Sequence, residues 1–298
     1  MKSLNIAYFG TPYFSAHLLE KILTDPSTKQ LVGIKFVVTR PDKPVGRRQI
    51  LTPSPVKQIA LRYKIPVIEN LKTFHVSRNT LHKLDFAFLY AYGGIVPNES
   101  LHLPRLGFLN THPSLLPKYR GPSPITYPLI LGDKETGVTL IQLDERIDHG
   151  PILAREKIEI LSTDRRPDLE IKLTDLAFNM FKRLVNELAL SGVEGLKFKE
   201  QNHKKATFTK ILEKKDGFIP FDTLRKEIKK SSQKIYNLFR GLYPWPGIWT
   251  LLPNGKRLKI TSLTMKQFNH LTIESVQLEG KNEVDFKTFN SAYKVFTP

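Results

Sequence analysis

The stretch Gly107-Phe108-Leu109-Asn110-Thr111-His112 turns polar only at its C-terminal end, and Pro113 then turns the chain. Residues two apart on a strand share a face, so Asn110 and His112 point the same way. An amide N–H donor beside an imidazole suits a reaction in which negative charge grows on a carbonyl oxygen while a proton moves. Taken alone, such a pair is commonplace as a structural hydrogen bond. Two neighbouring features raise its chemical content. The loop Ser114-Leu115-Leu116-Pro117-Lys118-Tyr119-Arg120-Gly121 has no core periodicity, and its Leu pair invites an apolar cover such as a flat aromatic ligand. Asp148, in Arg146-Ile147-Asp148-His149-Gly150-Pro151, is a turn carboxylate able to reach the same sheet edge.

The elements that must position these groups follow from the alternation of short apolar runs with amphipathic stretches, the pattern of a parallel sheet covered by helices on both faces. Strands are predicted at Asn5-Phe9, Ile34-Thr39, Pro66-Glu69, Asp85-Tyr92, Gly107-His112, Val138-Asp144 and Ile152-Ile160. Helices are predicted at Tyr13-Leu23, Pro55-Tyr63, Ser123-Leu131 and Pro167-Leu190, with Ser54 or Thr52 as a cap and Gly192 as a stop. In such sheets ligands bind outside the carboxyl ends of the strands, where the strand order switches. The first turn, Gly10-Thr11-Pro12, is neither a dinucleotide fingerprint nor a P-loop and carries no Lys for a phosphate, which argues against nicotinamide and ATP. The absence of Cys removes thiolate nucleophiles and Cys-type zinc sites.

The 298 residues carry a formal charge of +18. The first 196 positions hold 26 basic and 19 acidic residues, the last 102 hold 20 and 9. That shift predicts two modules, residues 1–196 and 216–298, joined by a basic linker at 197–215. Past the linker, apolar positions at Leu224, Ile228, Ile235, Leu238 and Phe239 predict one helix over Asp222-Leu242, ended by Pro244 and Pro246. Ile248-Leu252, the turn Pro253-Asn254-Gly255, Arg257-Leu263 and Leu271-Leu278 predict short antiparallel strands, which with the positive charge suit a small barrel of the oligonucleotide-binding kind. The apolar start of the chain meets Gly10-Thr11-Pro12 before a signal-peptide core forms and is read as a buried strand. The longest apolar run, Phe86 to Val96, falls short of the roughly 18 residues that cross a bilayer, so no membrane partner is expected.

Asn110-x-His112-x-Ser114-Leu115-Leu116-Pro117, with Arg120-Gly121, Thr136-Gly137-Val138-Thr139 and Asp148-x-Gly150, resembles the formyltransferases that use 10-formyltetrahydrofolate. Gly10-Thr11-Pro12 with Phe14, Arg40-Pro41-Asp42-Lys43-Pro44-Val45-Gly46-Arg47, Thr52 to Lys57, Ala91-Tyr92-Gly93, Pro244-Trp245-Pro246-Gly247 and Leu278 to Lys281 extend the likeness over nearly the whole chain. They point to the branch that formylates the methionine of initiator methionyl-tRNA. The resemblance implies a Rossmann-like, mostly parallel sheet domain followed by a smaller OB-like β-barrel domain, with 10-formyltetrahydrofolate as formyl donor and no metal. It implies Asn110, His112 and Asp148 as the catalytic trio. Ser114, Leu115, Leu116 and Pro117, with Tyr92 and Gly93, would be folate-binding. Arg40, Lys43, Arg47 and Arg48 would meet the tRNA acceptor end. Pro122-Ser123, Ile248-Trp249 and His149 depart from the branch pattern, and His149 is closer to the purine-pathway enzymes.

The expected protein is a cytoplasmic monomer, and a cut near Lys204 would spare folate binding while abolishing tRNA use. Two alternatives stay open: a sugar or glycinamide ribonucleotide formyltransferase or a hydrolase using the same donor, and an RNA-binding protein with an inactive α/β domain. An acceptor assay separates them.

Overall fold

The computed structural model describes residues 3–46, 48–69, 78–191, 196–266 and 270–296. Arg47 and Gly192, both singled out from the sequence, lie outside the described residues. The chain divides into two units, each discontinuous: residues 1–124, 136–158 and 170–209, and residues 125–135, 159–169 and 210–298. The sequence-based division after residue 196 marks where composition changes, whereas packing within the first unit continues to residue 209.

The first unit opens with β1 (Leu4–Gly10), α1 (Tyr13–Thr24), α2 (Pro26–Leu31) and β2 (Val32–Val38), followed by the short strands β3 (Lys43–Val45) and β4 (Ile50–Thr52). It continues through α3 (Pro55–Arg62), β5 (Val67–Ile68), α4 (Arg78–Leu81), β6 (Phe86–Tyr90) and β7 (Phe108–His112). After α5 (Thr126–Leu131), which belongs to the second unit, come β8 (Glu135–Gln142), β9 (Ile152–Glu159) and α6 (Arg166–Ser191). Seven strands form one sheet in the order β5-β2-β1-β6-β7-β8-β9, with β5 to β7 parallel and β8 antiparallel to β7. All seven strands expected from the sequence are present. β1 and β6 are buried on both faces, as central parallel strands must be. Ala7, Phe9, Phe36, Val38, Ala87, Leu89 and Phe108 build one core layer, while Tyr8, Phe86 and Phe88 on the other face meet one another and Phe181 of α6. Chain order runs from β1 outward to β2 and β5, then returns to β6 and runs outward to β7. The strand order therefore switches between β1 and β6, opening the crevice that such sheets offer to ligands.

Ser54 caps α3 by accepting from the Lys57 N–H at 3.0 Å, as expected. The predicted helix at Ser123 starts only at Thr126. The basic segment read as a loop forms the antiparallel hairpin β3–β4, with Lys43 opposite Thr52 and Val45 opposite Ile50.

The second unit holds α7 (Phe221–Lys229), α8 (Gln233–Leu242), β10 (Ile248–Leu251), β11 (Arg257–Lys266), β12 (His270–Leu278), β13 (Glu283–Asp285) and α9 (Phe286–Tyr293). Its strands pair antiparallel in the order β10-β11-β12-β13 around a core including Leu224, Phe239, Leu258, Val276 and Phe289. The single helix predicted over Asp222-Leu242 is two. Ser231 adopts φ +52°, and the Ser232 N–H reaches back to the Glu227 carbonyl at 3.0 Å, closing α7 before α8 begins. The apolar stripe keeps helical spacing across the break, so periodicity could not reveal it. α8 approaches α5 at Gly241, where a Cβ would lie 2.7 Å from Ile130. No helix among the described residues is long and apolar enough to cross a membrane.

Candidate active site

Three strand ends and one turn of the first unit supply the polar groups. At the switch point, the Thr11 hydroxyl after β1 donates to the Tyr92 carbonyl after β6 at 2.6 Å. The segment after β6 bends through two left-handed residues, Ala91 (φ +53°) and Gly93 (φ +69°). Tyr92 is buried with its ring edge-on to Phe9, and nothing lies within 4 Å of a Cβ placed on exposed Gly93. Next to β6, β7 ends in Asn110 and His112.

Asp148 brings the pair together. Its Oδ1 lies 3.4 Å from Asn110 Nδ2 and 3.4 Å from His112 Nδ1, while its Oδ2 accepts the Gly121 N–H at 2.8 Å. On the other side of the ring, His112 Nε2 donates to the Tyr119 carbonyl at 2.9 Å. A carbonyl can only accept, so Nε2 carries a proton, and the carboxylate at Nδ1 favours a second one there. His112 is 4% exposed. Burial works against charge on the ring, but the charge and hydrogen bond of Asp148 and the Tyr119 carbonyl outweigh it, holding the imidazole above its usual value against the pull of Arg120. Burial likewise works against the Asp148 anion, yet the His112 charge, the Gly121 N–H and Arg120 hold its carboxyl below the usual range. Both shifts favour the charged forms, a protonated ring beside an ionised carboxylate, with the Asn110 amide beside them. Both 3.4 Å contacts are long for hydrogen bonds.

Two non-glycine residues hold this geometry in the left-handed region, Tyr119 (φ +62°) and Asp148 (φ +48°). Such backbone persists where surrounding contacts over-determine it. The Tyr119 N–H bonds Thr207 Oγ1 at 2.9 Å, and the Arg120 N–H and carbonyl bond the Thr207 carbonyl and Thr209 N–H at 2.9 and 2.8 Å. On the Asp148 side, Gln201 Nε2 donates to the carbonyls of Asp148 and Gly150 at 3.0 and 2.8 Å, and its Oε1 accepts from Arg120 at 2.6 Å. Arg120 also donates to His203 Nδ1 at 2.8 Å, and the His203 ring stacks on His149, whose Nδ1 meets Asp144 at 2.6 Å. Gly150 has no room for a side chain, since a Cβ there would sit 1.8 Å from the Gln142 carbonyl. Sequence reasoning missed the segment around Gln201 because it lies some fifty positions from Asp148 in a stretch that composition marks as solvated linker.

The loop after β7 differs from its sequence-based reading. Leu116 is fully buried, its N–H bonds Thr139 and its carbonyl accepts from Arg155, so this residue anchors the loop. Ser114 is also buried, donating to the Lys118 carbonyl at 2.6 Å. Leu115 and Pro117 are partly exposed and form the face the loop presents. On the hairpin, Arg40, Lys43 and Arg48 are exposed beside the exposed aliphatic side chains of Val45, Ile50 and Leu51. Lys57, between Asp42 and Glu69 at 2.8 and 2.9 Å, ties the hairpin base to α3.

Residues 4–185 match the formyl transferase family and residues 212–271 the C-terminal domain of formyl transferases. A methionyl-tRNA formyltransferase of Caldicellulosiruptor saccharolyticus is 35% identical, covering 98% of each chain. That of Bacillus subtilis is 34% identical over 86% of this chain and 76% of its own length. Among solved structures, the fold is shared with a methionyl-tRNA formyltransferase from Clostridium thermocellum (TM-score 0.61, 16% identity, 95% and 99% coverage). It is also shared with a sugar 3N-formyl transferase solved with dTDP and 5-N-formyl-THF (TM-score 0.63, 19% identity, 90% and 88% coverage).

Proposed function

The chain belongs to the formyl transferase family, and from that premise we propose that it transfers a formyl group from 10-formyltetrahydrofolate to the amino group of methionine on initiator methionyl-tRNA. Relatives of near-equal length that carry this name support the acceptor. The convergence of Asn110 and His112 on one oxygen of Asp148 is the observation that carries the reading.

The amine attacks the formyl carbon and negative charge grows on the formyl oxygen; collapse of the tetrahedral adduct breaks the bond to N10 of the donor, which leaves as tetrahydrofolate with the proton that the amine gives up. Asn110 supplies an N–H donor to the formyl oxygen, and the positive His112 ring stabilises the same charge. Asp148 keeps His112 protonated and oriented and helps to accept the proton that leaves the amine. The donor's flat ring sits against Tyr92, the Gly93 backbone and the Leu115–Pro117 face, with Ser114 and Leu116 shaping that loop from beneath. Arg40, Lys43, Arg47 and Arg48 of the basic segment take the phosphates of the acceptor end, and the basic second unit, read as an OB-like platform over residues 216–298 after a linker at 197–215, holds the tRNA body. Such a protein works as a monomer in the cytoplasm.

The test is formyl transfer from 10-formyltetrahydrofolate to methionyl initiator tRNA, compared with amino sugars, glycinamide ribonucleotide and water as acceptors. Strong preference for the tRNA is expected. Preference for a small amine, or donor hydrolysis alone, would replace the reading, and tRNA binding without transfer would make the chain an RNA-binding protein.

A further inference from the structure

We propose that Gln201 is a positioning residue for Asp148, its side-chain amide clamping the Asp148–Gly150 turn to Arg120 and so fixing where the carboxylate lies against His112. The inference rests on the reading of His112 and Asp148 as the reacting pair, and it concerns a residue between the two segments that match the family. Gln201 is 5% exposed, and both ends of its amide are engaged: Nε2 holds two carbonyls of the turn and Oε1 holds the Arg120 guanidinium. With donors needed on one side and an acceptor on the other, the amide has a single satisfactory orientation.

Those contacts matter because each end leads to the reacting pair. The Arg120 backbone is continuous with the Tyr119 carbonyl that bonds His112 and the Gly121 N–H that bonds Asp148. The other end grips the carbonyl of Asp148 itself, a residue in the left-handed region whose carboxylate would swing if φ relaxed. Gln201 is thereby a side chain that joins the loop holding His112 to the turn carrying Asp148. Chain pairing brings it there: Lys199 bonds Ile152 through both backbone groups at 2.8 Å, and Thr207 and Thr209 bond the Tyr119–Arg120 segment. The charged groups facing the pair are Arg120 and, behind it, Asp144.

Gln201→Met keeps length and removes every hydrogen bond; Gln201→Glu keeps an acceptor for Arg120 and removes the donors to the turn. In the full-length enzyme both are expected to lower kcat about 10- to 100-fold with KM for the formyl donor little changed, the penalty of a catalytic group displaced by about 1 Å. NMR titration of His112 in the donor-free protein is expected to show its ring pKa falling in the uncharged Gln201→Met variant, a readout that loss of stability alone does not move. In an Asp148→Asn background, Gln201→Met is expected to add less than about a twofold further loss, because the two act through one carboxylate. A kcat within about twofold of the parent with an unshifted His112 titration, additive losses in the Asp148→Asn background, or failure of both variants to fold would each overturn the proposal. Normal turnover of Asn110→Ala and His112→Ala would instead sink the catalytic assignment, leaving the His112 titration to report on Gln201 by itself.

Discussion

His112 is bonded on both sides, by a carbonyl that only accepts and by a carboxylate held below its usual range, and both partners favour the protonated ring. In the proposed reaction that ring would stabilise developing negative charge, with the Asn110 amide as a neutral donor beside it. Removing an oxyanion donor costs on the order of 10²–10³ in turnover, so Asn110→Ala and His112→Ala should each lose about that much with circular dichroism unchanged. Near-normal rates in either would refute the assignment. Asp148→Asn removes the anion that does most to hold the His112 value up and leaves burial opposed only by the Tyr119 carbonyl. The alkaline limb of the kcat profile should then move to lower pH, and a limb that stays in place would show that His112 does not set it. Stability follows the same pair with opposite signs. The raised His112 contributes fully below its unfolded value of about 6.5 and loses that contribution as pH rises through its folded value. The lowered Asp148 contributes above about 3.9 and loses it as pH falls through its folded value, so the parent melts highest between these limits and the Asn variant shows a flatter dependence.

At the scale of elements, the β3–β4 hairpin does what a flexible basic loop could not. Pairing of Lys43 with Thr52 and of Val45 with Ile50, with the Lys57 ion pairs at its base, places Lys43 on a formed ribbon, with Arg40 just before it and Arg48 in its turn. Backbone already ordered loses less entropy when it meets a polyanion. Neutralising Arg40, Lys43 and Arg48 should weaken tRNA binding and reduce the salt slope by about 0.7 per lost phosphate contact to a single-stranded end, with binding of the formyl donor barely altered. An unchanged slope in filter-binding titrations would remove the hairpin from the tRNA site. Pro44 and Gly46 punctuate this segment as a loop, and the hairpin was illegible because its strands are only three residues long and expose their apolar side chains. The break between α7 and α8 was hidden for the opposite reason, an apolar stripe that continues in phase across Ser231.

For the whole molecule, the interleaving of the two units along the chain changes what a deletion means. The sequence suggests that a cut near Lys204 removes only the RNA-binding third. It would in fact remove Thr207 and Thr209, which hold the Tyr119–Arg120 loop, and strip α8 from α5, whose Leu129 is fully buried. A chain ending at Lys204 is therefore expected to bind a hydrophobic dye, to melt well below the parent and to lose binding of the formyl donor along with tRNA. Retention of donor affinity with a cooperative transition would restore the simpler two-module picture. Variants of the intact chain that neutralise exposed Lys256, Lys281 and Lys287 isolate the charge of the second unit without this damage.

The sequence by itself determined the seven strands of the main sheet, the shared face of Asn110 and His112, and the uneven distribution of charge. These depend on short-range periodicity and composition, which local sequence encodes. Tertiary structure alone decided that Asp148 reaches both strand-end groups, that Leu116 is an anchor, and that Gln201 braces the turn. These depend on backbone brought together across tens of residues, where hydrogen bonds to carbonyls and left-handed turns leave no periodic trace in the residues that make them.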